Sequence, residues 1–203
     1  MEKARRETAR GRKTRENIMQ AAMELVCSRG YAGTSVDMIC KRAKVVKTAV
    51  YWHFGSKAGL MAALVDNANT LWIDTIEAQV TDAQVPVERL DRLMGAMREV
   101  ITKRSQMLRL VEVVISESAL MEPEVVEAIS RLHLRTMDAI ASGFEESLGG
   151  QLKSGRMLAH TITALMHGIH RHYLLYGDGI DLDLFFDDMR RTILASVGER
   201  LQR

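Results

Sequence analysis

Apolar residues recur three and four positions apart along most of this chain, and that spacing leaves little room for anything but helix. Ile18, Ala21, Ala22, Leu25 and Val26 form the stripe of a first amphipathic helix, and Gly30 after Arg29 supplies its stop. Thr34-Ser35-Val36-Asp37 sets a hydroxyl three residues ahead of an acid, a capping-box-like start, and Val36, Ile39, Cys40 and Ala43 continue at helical spacing. After Lys44-Val45-Val46 a third short helix is predicted from Lys47 to about His53, burying Val50 and part of Tyr51, with Phe54 closing the cluster. Ser56 caps a longer fourth helix, marked by Leu60, Leu64, Leu71 and Trp72, that runs to about Val80. The chain has only 2 prolines in 203 residues and almost no runs rich in Val, Thr and Tyr. The predicted class is therefore all-α, with about nine helices.

Thr81 to Pro86 reads as a linker, in which polar residues lead to a proline suited to the first turn of a helix. Five more helices are expected. Leu90, Leu93, Met94, Met97 and Ile101 stripe the fifth; Met107 to Ile115 is apolar on nearly all sides and expected to be buried; Pro123 opens a seventh that ends at Gly149-Gly150. The eighth runs from about Gly155 to Tyr176 and stops at Gly177-Asp178-Gly179, and Asp181 caps a ninth.

The net charge of +2 conceals an asymmetry. Residues 1–60 carry 13 Lys and Arg against 5 Asp and Glu, a net of +8, whereas residues 61–203 carry 15 against 21, a net of −6. A basic head on an acidic body suits a polyanion partner, with a solvated basic face as the alternative. The first dozen residues, including Arg5, Arg6, Arg10, Arg12 and Lys13, lack apolar periodicity and read as a mobile basic arm. No run of about 18 uncharged apolar residues occurs and the start of the chain is charged, so a cytoplasmic protein without a membrane partner is expected. Cys27 and Cys40 lack metal-type spacing and are expected to be reduced packing residues, a redox sensor being the alternative.

Two short helices joined by a turn in basic surroundings make a helix-turn-helix candidate. The recognition helix of such a unit must expose its N-terminal end to the major groove while its other face packs inward. Val50 and Phe54, four apart, can face inward and leave Lys47, Thr48, Ala49, Tyr51, Trp52 and His53 partly outward. Thr34 and Ser35, at a helix N-terminus, can offer hydroxyl and backbone N–H groups to a phosphate.

These residues also carry a family likeness. Thr14-Arg15, Ile18, Ala21-Ala22, Gly30, Thr34, Ile39, Ala43, Val45, Val50-Tyr51-Trp52-His53-Phe54 and Lys57 together resemble the N-terminal signature of the TetR family, the tetracycline-repressor-like regulators. The likeness covers about residues 14–60; beyond them it is one of helix pattern only. It implies a DNA-binding domain over 1–60 and a helical ligand-binding and dimerisation domain over 61–203. It also implies that Lys47, Thr48, Ala49 and Trp52 lie near base edges, with Tyr51, His53 and Lys57 nearer the DNA backbone. Two positions depart from the family pattern: Lys44 stands where the turn usually has glycine, and Val46 where it usually has serine. A non-glycine residue in a left-handed turn costs about 1–2 kcal/mol and a lost hydroxyl cap about 1 kcal/mol. Lys44 in return adds positive charge near the expected DNA surface.

The same resemblance implies a homodimer whose last two helices form a four-helix bundle, for which Ile162, Leu165, Ile169, Tyr173, Phe185, Met189, Ile193 and Val197 are suitable material, internal core being the alternative. It further implies a cavity within the fourth to eighth helices for a small-molecule inducer, whose binding releases a palindromic double-stranded DNA operator. Trp72, Met94, Met97, Met107, Met137 and Met166 offer adaptable apolar lining, as does Met121; Arg98, Glu112, Glu117 and His133 are the polar candidates. Val126, Ile129, His133, Met137, Ile140 and Phe144 are read as one face of the seventh helix, with His133 on it. An apolar or aromatic inducer of unknown identity is expected, with no other cofactor. His167 and His170 are spaced for a metal but lack a matching carboxylate or cysteine, so no metal is expected. The competing readings are a nucleoid-type protein binding DNA without sequence preference, and a helical enzyme using Glu112, Glu117 and His133 as acid–base groups. The second lacks a nucleophile elbow, a phosphate-binding glycine loop and a metal constellation.

Overall fold

The computed structural model describes residues 9–81, 86–145 and 152–201. Every regular element among them is helical: α1 (Ala9–Arg29), α2 (Val36–Ala43), α3 (Lys47–Phe54), α4 (Lys57–Thr81), α5 (Pro86–Lys103), α6 (Ser105–Ser116), α7 (Pro123–Glu145), α8 (Leu152–Tyr176) and α9 (Leu182–Leu201), with 3₁₀ turns at Ser118–Leu120 and Gly177–Gly179. The all-α expectation holds. Both prolines stand at the first position of a helix, where the missing N–H has no intrahelical acceptor to lose. Ser56 caps α4 through a hydrogen bond from the Gly59 N–H (2.8 Å), and the Asp181 carboxylate caps α9 by accepting from Leu184 (3.0 Å). The expected linker residues 82–85, the Gly149-Gly150 stop and the arm residues Arg5 and Arg6 lie outside the described residues, as does the side chain of Val197.

Several boundaries and faces differ from expectation. Arg10, Arg12 and Lys13 belong to α1 rather than to a mobile arm, and the side chain capping α2 is Ser35, whose Oγ accepts from the Met38 N–H at 3.2 Å. α8 begins by Leu152, three residues ahead of Gly155. In α6 Leu108, Leu110 and Val114 are buried but Ile115 is exposed, so that helix is not buried all round. In α7 the buried stripe is Val125, Ala128, Leu132, Thr136, Ile140 and Phe144. His133 lies one residue off that line, about 100° around the helix, and is exposed.

Contacts gather the chain into two compact units, residues 1–68 with 109–130 and residues 69–108 with 131–203. The division expected at residue 60 is thereby amended, because the end of α6 and the start of α7 pack with the N-terminal helices. In the first unit α1 packs on α2 and α3, and Ile18, Ala22, Val26, Ile39, Val50 and Leu60 are almost fully buried. Burying one such isoleucine or leucine is worth about 1.5–3 kcal/mol. Cys27 and Cys40 are buried as well; burial pushes the Cys27 thiol up to about 11 and raises that of Cys40, which keeps both protonated and favours a packing role. In the second unit α5 packs on α8 and α9, and the fifth-helix stripe of Leu90, Leu93, Met94, Met97 and Ile101 is buried as expected.

Candidate nucleic-acid interface

The α2–α3 unit is built by caps. Lys44 ends α2 in the left-handed conformation (φ 56°, ψ 46°), the one non-glycine residue with positive φ among those described. Its N–H and that of Val45 both turn back to the Cys40 carbonyl, the latter at 3.0 Å, satisfying an oxygen that the helix end leaves open. Val46 then precedes α3 in an extended conformation and offers no side-chain cap; the turn closes through the backbone alone, Ala49 N–H to Val46 carbonyl at 2.9 Å. At the other end Gly55 takes φ 73° and donates to the Tyr51 carbonyl at 2.9 Å. Both departures from the family pattern therefore sit at the turn itself, one in its strained position and one at its uncapped end.

One face of α3 is anchored and the other is open. Val50 is 0% exposed and Phe54 is half-buried, with the Arg15 guanidinium 5.3 Å from its ring centroid. Outward, Trp52 is 60% and Tyr51 46% exposed, Lys44, Lys47 and Thr48 are exposed, and Ala49 and His53 are half-buried. Trp52 and His53 meet edge to face, 4.5 Å between centroids. Lys47 is paired with Asp37 at 3.0 Å, and that hydrogen bond holds its ammonium above the ordinary lysine range. A surface so arranged can hand aromatic, hydroxyl and cationic groups to a groove floor while its backbone stays fixed.

Two of the expected phosphate contacts are otherwise engaged. Thr34 is buried and its hydroxyl donates to the Gly30 carbonyl at 2.8 Å, so it stabilises the α1–α2 loop instead of facing outward. Lys57 donates to the Tyr31 carbonyl at 2.7 Å and stands 3.8 Å from that ring's centroid; burial lowers its pKa. Ser35 remains exposed at the start of α2.

The ligand candidates divide. Trp72, Met94, Met97, Met107, Met137 and Met166 are buried within the second unit. Arg98 is a surface residue ion-paired with Asp183 at 2.8 Å, Glu112 belongs to the first unit, and His133 faces His160 on the exterior at 6.0 Å. The buried histidine is His170, on α8, accompanied in the same unit by buried Asn69 and Thr136. A cleft of about 380 Å³ also opens between α4 and α5, lined by Leu71, Asp74, Thr75, Glu99 and Arg104 among others. Of the expected dimer residues, Ile162, Ile169, Met189 and Ile193 are buried within the protomer, Tyr173 is half-buried, and Leu165 and Phe185 are exposed. α8 and α9 are apolar on more than one side, and it is the inner side that periodicity finds. Sequence patterning does not single out Tyr31, which is 4% exposed and bonded on every polar atom; its place directly after Gly30 is the available signal.

A helix-turn-helix with an anchored inner face and an open aromatic and basic outer face defines the chain as a DNA-binding transcriptional regulator. Comparison with known proteins agrees. Residues 18–64 match the family model for bacterial regulatory proteins of the tetR family. The regulator TtgR of Pseudomonas putida is 26% identical over 186 residues, covering 88% of each chain. The structure of NalD, the secondary repressor of the MexAB-OprM multidrug efflux pump in Pseudomonas aeruginosa, aligns with a TM-score of 0.71 at 20% identity over 91% of this chain and 96% of that one. AibR, in complex with isovaleryl coenzyme A and operator DNA, aligns with a TM-score of 0.70 at 21% identity over 87% and 96%. The tetR-family match thus falls on the helix-turn-helix region, and along most of its length the chain is similar to regulators of that kind.

Proposed function

We propose that this regulator is a repressor that binds a palindromic double-stranded operator as a homodimer and releases it when a small apolar or aromatic inducer enters the second unit. The observation that carries the reading is the α3 surface, on which Thr48, Tyr51 and Trp52 are outward over a fully buried Val50. One such helix reads only a few base pairs, so two copies about 34–36 Å apart are needed for specificity. α8 and α9 supply a face for the second copy: Met157, Leu165, Leu175 and Tyr176 are exposed along α8, Leu184 and Phe185 along α9, and His172 lies edge-on to both Tyr176 and Phe185 at 6.0 Å. An apolar stripe of that extent on two packed helices suits a four-helix bundle.

NalD is a repressor, and AibR is seen in complex with isovaleryl coenzyme A and operator DNA, which supports a DNA-binding regulator with a small-molecule site here. The buried methionines of the second unit are the adaptable lining such a ligand would displace. We assign no catalytic step, since Glu117 is committed to the α1–α2 loop and His133 to an exposed pair with His160. No cofactor beyond the inducer and no metal enters this reading. No helix among the described residues is long and apolar enough to cross a membrane, and a DNA-binding role fits a cytoplasmic protein.

The test is fluorescence anisotropy with the DNA upstream of the protein's own gene against a scrambled duplex, beside light scattering for the dimer. Tyr51→Ala is expected to weaken operator binding by about tenfold while leaving the fold intact, the loss of one or two positioning contacts. Equal affinity for the scrambled duplex, with a steep salt dependence, would replace the reading with non-specific binding.

A further inference from the structure

α7 and α8 meet along an antiparallel seam that brings distant parts of the chain into register. Gly155 stands so near α7 that a Cβ on it would lie 3.2 Å from the Ala141 carbonyl oxygen. Next along the seam, Arg156 and Asp138 form an ion pair at 3.4 Å. His160 and His133 follow, their ring centroids 6.0 Å apart and their planes inclined at 41°. All of these residues belong to the second unit, so the seam lies inside one compact body.

Both imidazoles are exposed, and among the described residues neither makes a hydrogen bond, so their ring nitrogens are open to a ligand. Two rings so placed can share one ion. A zinc ion sits about 2.0–2.1 Å from each ligating nitrogen, which sets the two ring centroids about 5.2 Å apart at the tetrahedral angle and about 6.4 Å apart in line. The observed 6.0 Å falls between those limits, so rotation about side-chain bonds is enough and neither helix has to move. The neighbouring Arg156 is balanced by Asp138, so an incoming cation meets no net positive charge there. Imidazole nitrogen without carboxylate suits zinc, copper and nickel, whereas calcium and magnesium need oxygen ligands. We propose that His133 and His160 form a surface site for a divalent transition-metal ion, held by one imidazole from each helix with water in the remaining positions. The pair that sequence spacing offers, His167 with His170, is a different one, and its His170 is fully buried. The site stands apart from the DNA-binding reading, because it needs neither operator nor inducer.

Calorimetric titration of the EDTA-treated and dialysed full chain with zinc chloride is the test. The wild type is expected to take up about one zinc ion per chain at this site. His133→Ala and His160→Ala should each weaken that uptake by at least about tenfold, the loss of one of two protein ligands, and the double variant should abolish it. His167→Ala serves as the control and should match the wild type. Copper(II) in place of zinc gives a second readout, since its paramagnetic resonance spectrum should show coupling to two imidazole nitrogens in the wild type and to one in either single variant. Both side chains are exposed, so the alanine variants are expected to keep the fold, which circular dichroism checks; His133→Gln and His160→Gln keep the bulk of the side chain and are read in the same way. Absence of zinc uptake by the wild type up to about 1 mM overturns the proposal. Uptake that both histidine variants leave unchanged, or that His167→Ala removes, assigns the ion to other groups and overturns it equally.

Discussion

The chain enters α2 through Gly30–Ser35 and leaves it through Lys44–Val46, and the two connections are held in opposite ways. On entry the strained backbone position is a glycine, Thr34 bonds back to Gly30, Ser35 caps the helix, and two carboxylates take the loop's N–H groups and phenol. On exit the strained position is a lysine, the next helix has no side-chain cap, and backbone hydrogen bonds close the turn, with the exposed Lys47–Asp37 ion pair linking the helices on either side. The entrance is held by side chains from far along the chain, the exit by local bonds, where a further hold could be added. A DNA phosphate beside Lys44 is suited to that task, and local softness at a binding turn is a common place to leave stability unspent.

Gly30→Ala attacks the fixed connection most directly. The new Cβ carries a positive φ at about 1–2 kcal/mol and pushes Glu117 away from two charge-assisted hydrogen bonds, so a total loss of about 3 kcal/mol is expected. Urea unfolding measures it. A change below about 1 kcal/mol would mean that the carboxylate swings aside freely and the entrance is no firmer than the exit.

Tyr31→Phe is a milder cut, removing one hydrogen bond to a carboxylate whose other oxygen can reach water, and is expected to cost about 1.5 kcal/mol. Its signature is in the pH profile. Burial and then the Glu122 hydrogen bond raise the Tyr31 phenol above the usual tyrosine range, so its contribution is present below about pH 10 and is lost as pH rises beyond it. The Tyr31 hydrogen bond holds the Glu122 carboxyl below its ordinary value, so that contribution is present above about pH 4.5 and is lost as pH falls through the depressed value. Both limbs should flatten together in Tyr31→Phe. If the acid limb stays as steep as in the wild type, Glu122 is not bonded to the phenol in solution.

Most of this head is legible in the sequence because it is local. The stripe of α1, the turn at Lys44 and the inward Val50 follow from spacing within a few residues. The fastening of the entrance is not, since Tyr31 meets Glu117 and Glu122 across separations of 86 and 91 residues. Sequence reading marks Glu117 as a polar candidate for a ligand, because nothing along the chain says which loop a turn will touch. The misplacement of His133 has a simpler origin: a stripe begun at Val126 instead of Val125 runs one residue off the buried line as far as His133, and rejoins it at Met137, Ile140 and Phe144. On α8 and α9 the difficulty is of a third kind, for Ile162, Ile169, Met189 and Ile193 and the exposed Met157, Leu165 and Leu184 are all apolar. Periodicity finds apolar faces and does not say which one the protomer keeps for itself.

The smallest expected effect on stability belongs to Lys44→Gly, and it separates strain from function. Relief of the left-handed conformation contributes about 1–2 kcal/mol in favour of the variant, while the greater freedom of glycine in the unfolded chain takes back about 0.5–1 kcal/mol. The folded state should therefore gain only about 0.5–1 kcal/mol. Operator binding should move the other way. If Lys44 neutralises one phosphate, its loss lowers the slope of log K against log salt by about 0.9 and weakens affinity most at low salt. A variant that is more stable yet binds DNA less tightly would show that the exit turn trades rigidity for charge. A variant with unchanged affinity and unchanged slope would leave Lys44 as strain without a compensating contact, and the softness of the exit would then owe nothing to DNA.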